Sequence, residues 1–115
     1  MAALVDMLDA VDHVAEMLDG INRHAFEGDR TTRRAVERCL EIVSEASRRL
    51  TAEQRSQDPA IPWRSMADMG NFLRHEYHRV APSVVWSTAR SLGDLRPTLL
   101  RLIAAAQDPP PPTAP

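Results

Sequence analysis

Ala35-Val36-Glu37-Arg38-Cys39-Leu40-Glu41-Ile42-Val43-Ser44-Glu45-Ala46 is the stretch whose spacing decides the fold. Its apolar residues, extended by Leu50, recur at steps of three and four, the stripe that one face of an α-helix presents to a core. The opposite face carries Arg33, Arg34, Glu37, Arg38, Glu41, Arg48 and Arg49. A charged face of this kind is ordinarily solvated, and an anion site is the alternative. Asp29 or Thr31 can accept hydrogen bonds from the free amides at the helix start.

Outward from this helix the same period recurs. Upstream, Leu4, Met7, Leu8, Val11, Val14, Ala15, Leu18 and Ile21 form a second stripe that ends near Gly20, and residues 22–30 read as a connection. Downstream, Thr51 and Gln54 fit a capping box for one short turn, which Asp58-Pro59-Ala60-Ile61-Pro62 closes. A third helix is predicted from Pro62 or Trp63 to about Tyr77. A fourth opens at Pro82, with Val84, Val85, Thr88, Ala89, Leu92, Leu95, Leu99, Leu100 and Ile103 toward the core and a kink or break near Gly93 and Pro97. No alternating stretch persists long enough for a strand. The expectation is an all-α protein, an antiparallel four- to five-helix bundle over residues 1–107, with residues 108–115 (DPPPPTAP) as a proline-rich disordered tail.

The chain has 115 residues, of which 43% are hydrophobic, 26% charged and only 4% aromatic. That is one domain with an aliphatic core. The formal net charge is −2, so nucleic acid can be held only by a local basic patch or a surface assembled from two copies. Cys39 stands alone among apolar neighbours and reads as a buried structural thiol. With no leader-like N-terminus and no uninterrupted apolar run of about 18 residues, the expectation is a cytoplasmic protein without membrane contact.

Chemistry points to the third helix. At about 100° per residue, with Gly70 as origin, Met66, Met69 and Leu73 gather on one side, while Arg74, His78, Asn71 and His75 gather on the other. Imidazoles titrate near neutrality and can divide acid and base roles in cleaving a phosphodiester, and arginine can hold the phosphate. The same spacing also fits two surface histidines near a helix end. His75 and His78 supply at most two metal ligands and no third has motif spacing, so no metal or other cofactor is expected.

The run Ile61-Pro62-Trp63-Arg64-Ser65-Met66-Ala67-Asp68-Met69-Gly70-Asn71-Phe72-Leu73-Arg74-His75-Glu76-Tyr77 resembles the signature of HepT-type toxins, a family of the HEPN superfamily: a Pro-Trp opening, Arg-Asn, three residues, then His-x-Tyr. Leu40-Glu41-Ile42-Val43-Ser44-Glu45-Ala46 resembles the family's Leu-Glu-Ile-hydrophobic-Gly-Glu-Ala stretch, and Val84-Val85-Trp86 its last-helix opening. The resemblance spans about residues 4–103. It implies a twofold homodimer with its cleft where two copies of the third helix meet, and metal-independent endoribonuclease activity on RNA. It also implies a toxin–antitoxin pairing with an MntA-type nucleotidyltransferase that transfers AMP to the residue matching Tyr77. His75 and Asn71 carry over as catalytic residues. The motif arginine does not, because its position holds Gly70, so impaired activity is expected. Arg74, one turn away, is a substitute that the family pattern does not contain, and His78 and Arg79 follow the tyrosine, adding positive charge near the cleft. The family's glycine after the tyrosine is also missing. The alternative reading is a non-catalytic helical dimer that docks and regulates the nucleotidyltransferase.

Overall fold

In a computed structural model the described residues are 1–76 and 80–107, and they are helical with no strand among them. The helices are α1 (Ala2–Leu18), α2 (Arg23–Gly28), α3 (Arg30–Arg48), α4 (Ala52–Ser56), α5 (Trp63–Glu76), α6 (Pro82–Ser91) and, after a 3-10 turn at Leu92–Leu95, α7 (Arg96–Gln107). No helix among the described residues is long and apolar enough to cross a membrane.

α3 is the hub of the fold, because α1 packs along one side of it and α5 along another. Its buried residues are Val36, Cys39, Leu40, Val43, Ser44, Ala46 and Ser47, which is the centre of the expected stripe plus two serines, while Ala35 and Ile42 at its borders are only half-buried. Leu4, Met7, Val11, Val14 and Leu18 of α1 meet it, with Leu92, Leu95, Leu99 and Leu102 closing the far side. Removing each such side chain from water contributes roughly 1.5–3 kcal/mol, so this mostly aliphatic cluster, with Phe26 as its one fully buried aromatic among the described residues, holds the bundle together. Arg49 to Asp6 (3.0 Å) and Arg96 to Asp12 (2.9 Å) tie α3 and α7 to α1 at the surface.

The start signals act as the residues require. Asp29 accepts from the Thr32 amide, Thr51 and Gln54 form the reciprocal capping box, and Pro82 lies in the first turn of α6. The chain breaks around Gly93 as expected, into the 3-10 turn and α7.

Three expectations are corrected. Residues 22–30 are not merely a connection: Asn22 accepts from the Ala25 amide at 2.8 Å and caps α2, whose Phe26 is fully buried against Trp86, with ring centroids 5.3 Å apart. Val84 and Leu100 are exposed rather than in the core; Val84 lines a surface groove between α5 and α6, while Leu102 fills the inward position near Leu100. Ala15 is exposed, and Ala3 and Ala10 are buried in its stead. The proline-rich tail lies outside the described residues.

Candidate active site

α5 is anchored at its N-terminus. The Trp63 indole donates to the Asp58 carbonyl at 3.0 Å, while the Asp58 carboxylate accepts from the Thr98 hydroxyl of α7. The Pro62 carbonyl accepts from the Met66 amide at 3.0 Å. Proline's fixed φ and missing N–H suit this entry to a helix.

Small residues let α5 approach α3 closely. The Ser44 hydroxyl, buried between the helices, donates to the Ala67 carbonyl at 2.9 Å and accepts from the Gly70 amide at 2.9 Å. Arg48 also donates to the Ala67 carbonyl, through Nε at 3.0 Å and through Nη2. Gly70 is buried at this seam. A Cβ added to it would lie 2.7 Å from Ser44 Oγ and 3.0 Å from Ser44 Cβ, so the seam accepts no side chain at 70 unless something moves. Position 70 faces α3, and it contributes no group to the exposed face of α5.

That exposed face carries Asn71, Arg74 and His75. Arg74 Nη2 donates to Asn71 Oδ1 at 2.8 Å, which fixes a guanidinium beside the amide one turn from Gly70. Arg74 also borders a groove of about 460 Å3 with Arg30, Arg34, Glu37, Arg38, Glu41 and Leu73. Together these groups provide a permanent positive charge, an amide and an imidazole within one turn of helix, open to a ligand. Tyr77 and His78 lie outside the described residues. No group of three metal-ligating side chains occurs among the described residues.

On its remaining side α5 is apolar and open. Leu40, Met69, Phe72, Val80, Val84 and Val85 help line a groove of about 330 Å3 between α5 and α6. Phe72 is 56% exposed and Val84 55%. These two exposed apolar side chains line the same groove.

Cys39 is buried as expected, and its desolvation pushes the thiol above its ordinary range, with Asp9 adding to the rise. Sequence spacing gave no sign of the His13 imidazole, whose Nδ1 lies 3.8 Å from the sulfur. The seam between Ser44 and Gly70 was also invisible along the chain, although Ser44 stands where the resemblance has glycine and Gly70 where it has arginine.

Comparison with known proteins agrees with the sequence resemblance. The family model described as HepT-like ribonuclease matches residues 7–103. A candidate RNase of Methanocaldococcus jannaschii is 33% identical over 89 residues, covering 77% of this chain and 82% of the relative. "Probable ribonuclease HepT" of Thermococcus cleftensis is 37% identical over 87 residues, covering 76% and 79%. A candidate RNase of Caldanaerobacter subterraneus subsp. tengcongensis is 34% identical over 85 residues, covering 74% and 76%. No solved structure matches the chain significantly. With the family model spanning all but the ends of the chain, and relatives of this identity aligned over most of their own length, the protein belongs to the HepT-like ribonucleases.

Proposed function

We propose that this protein is the toxin subunit of a toxin–antitoxin pair, a metal-independent endoribonuclease acting on cytoplasmic RNA in a cleft between two copies. The observation that carries the reading is the shared exposure of Asn71, Arg74 and His75, with Arg74 fixed to Asn71. In cleavage, the RNA 2′-oxygen attacks the adjacent phosphorus while a neutral imidazole, His75, takes the hydroxyl proton. The bond from phosphorus to the 5′-oxygen breaks, and that oxygen receives a proton from a second, protonated imidazole, supplied by His75 of the facing copy or by His78. The products are a 2′,3′-cyclic phosphate and a 5′-hydroxyl. Charge develops on the non-bridging oxygens, and Arg74 is the group of this face that can oppose it.

The second copy has a reason to be there. A groove lined by Met69, Phe72 and Val84 runs beside the polar face of the same helix, so a mate covering the apolar strip brings its own α5 to the polar one. Tyr77 is the residue proposed to receive AMP from a nucleotidyltransferase antitoxin. A non-catalytic dimer that docks and regulates this enzyme is the second reading, favoured by the burial of Gly70, which leaves the cleft without the motif side chain.

The deciding experiment is cleavage of a mixed RNA pool in the presence of chelator by this protein, by His75→Ala and by Arg74→Ala. The proposal expects cleavage that ends in cyclic phosphate, is lost with His75→Ala and falls with Arg74→Ala. No cleavage by any form, together with tight binding of the nucleotidyltransferase, would establish the regulatory reading instead.

A further inference from the structure

The N-terminal half of α3 places Arg30, Arg34 and Arg38 at four-residue steps, which puts them on one side of the helix about 6 Å apart along its axis. They line the groove that Arg74 borders, with Leu73 at its base. Two glutamates also lie there, but the pairs are lopsided. The Glu37 side chain is 14% exposed against 47% for Arg34 at 3.7 Å, and that of Glu41 is 20% exposed against 67% for Arg38 at 3.3 Å. The carboxylates therefore sit low and brace their arginines, while the guanidinium heads meet the solvent. Arg30 has no ion-pair partner among the described residues. Among the described residues four arginines stand against two glutamates, so this lining is positive in a chain whose net charge is −2. That is the local basic patch a protein of this overall charge needs in order to hold a polyanion.

We propose that the Arg30–Arg34–Arg38 stripe is the track for the sugar-phosphate backbone of single-stranded RNA, leading from the scissile phosphate at Arg74 and Asn71 along α3. This rests on the reading of α5 as a ribonuclease site. A helical step of about 6 Å per arginine is on the scale of one nucleotide of extended single strand, so successive guanidinium groups meet successive phosphates. The track recognises backbone and carries no base readout, so it sets how much strand must flank the cut rather than which base is cut. An acidic protein surface is the competing polyanion, and it lacks this regular spacing of charge.

The test is binding of a 2′-O-methyl RNA 20-mer, which has no 2′-hydroxyl and is not cut, measured by fluorescence anisotropy across salt concentrations. Single-strand binding loses about 0.7 in log–log salt slope for each phosphate contact removed, so Arg30→Gln/Arg34→Gln/Arg38→Gln should flatten the slope by about 2. Over a fourfold rise in salt the parent then loses about 20-fold more affinity than the triple variant. Arg30→Gln alone, which disturbs no ion pair, should flatten it by about 0.7, and it serves if the triple variant does not fold. Arg23→Gln on α2 should leave the slope unchanged. Equal slopes for the parent and Arg30→Gln overturn the track, and so does polyglutamate binding with the parent's slope. If the slopes are equal while His75→Ala still abolishes cleavage of natural RNA, only the track fails. If RNA is neither bound nor cut, the reading of the α5 site fails with it.

Discussion

Arginine at position 70 is the obvious repair for a HepT-like ribonuclease that carries glycine there, and the structure predicts that the repair fails when made alone. On an isolated helix Gly70→Arg should gain most of the ~1 kcal/mol that separates glycine from good helix formers. At the α3 seam the new Cβ meets Ser44 Oγ at 2.7 Å and Ser44 Cβ at 3.0 Å. The hydroxyl can rotate, but that gives up its bonds to Ala67 and Gly70. The Ser44 Cβ is fixed to the backbone of α3, so the two helices must also part. Overpacking of this kind costs about 1–3 kcal/mol, and a lost hydrogen bond about 0.5–1.5 more, which together outweigh the propensity gain. Ser44→Gly removes both clashing atoms. The four proteins of the cycle (parent, Gly70→Arg, Ser44→Gly and the double variant) should be compared by urea unfolding and RNA cleavage. The expected result is a Gly70→Arg protein less stable by about 1–3 kcal/mol, with little gain in cleavage, and a double variant that recovers stability with a favourable coupling of at least about 1 kcal/mol. Cleavage by the double variant should rise about 100-fold, the order set by restoring one charge-stabilising donor in the transition state. A Gly70→Arg protein as stable as the parent, or additive behaviour of the two changes, would refute the reasoning.

Arg74→Ala should lower residual cleavage in the present chain and matter much less in the Ser44→Gly/Gly70→Arg background; an equal drop in both would show that Arg74 does not stand in for the missing arginine. Phe72→Asp or Val84→Asp should turn a dimer into a folded monomer by light scattering, and an unchanged mass for both would place the interface elsewhere. Cys39, whose burial raises its thiol pKa, should react with iodoacetamide at pH 8 far more slowly in the folded protein than in urea, and equal rates would contradict its burial. The Thr32 hydroxyl and amide hold the Asp29 carboxyl below its ordinary pKa. Its contribution to stability is therefore present above about pH 4 and lost as the pH falls through the depressed folded value. Asp29→Asn, which still caps, should reduce the acid-induced loss of stability; an identical acid limb would exclude the effect.

Long periodic segments were legible in the sequence because burial on a helix repeats often enough to be counted. Val36, Cys39, Leu40, Val43 and Ala46 turn inward as their spacing requires, and the caps at Asp29 and Thr51 act through atoms three residues away. The six-residue α2 is too short to show a period; its only signals were Asn22 as a cap and one phenylalanine in a polar run. Val84 failed for another reason. Its spacing is that of a core residue, but the groove it lines is open in a single chain. The helical angles placed Asn71, Arg74 and His75 on a face of their own, and the exposure of all three agrees. Angles give direction and not distance, so nothing along the chain could say that Ser44, 26 residues away, hydrogen-bonds the Gly70 amide.

The three sides of α5 make demands that one copy of the chain does not meet. The side toward α3 is satisfied: Ala67 and Gly70 lie against Ser44 and Arg48 with their backbone groups bonded. The apolar side leaves Phe72 more than half exposed beside Val84, at a cost of roughly 25 cal/mol for each Å2 of apolar surface left in water. The polar side gathers a guanidinium, held by Asn71, and an exposed imidazole. A helix kept only for stability has no use for either open side. Both become intelligible if the apolar strip seats a second copy and the polar strip an anion. In that arrangement the glycine at 70 sets the spacing between α5 and α3, and the charge for the phosphate is left to Arg74 on the open face.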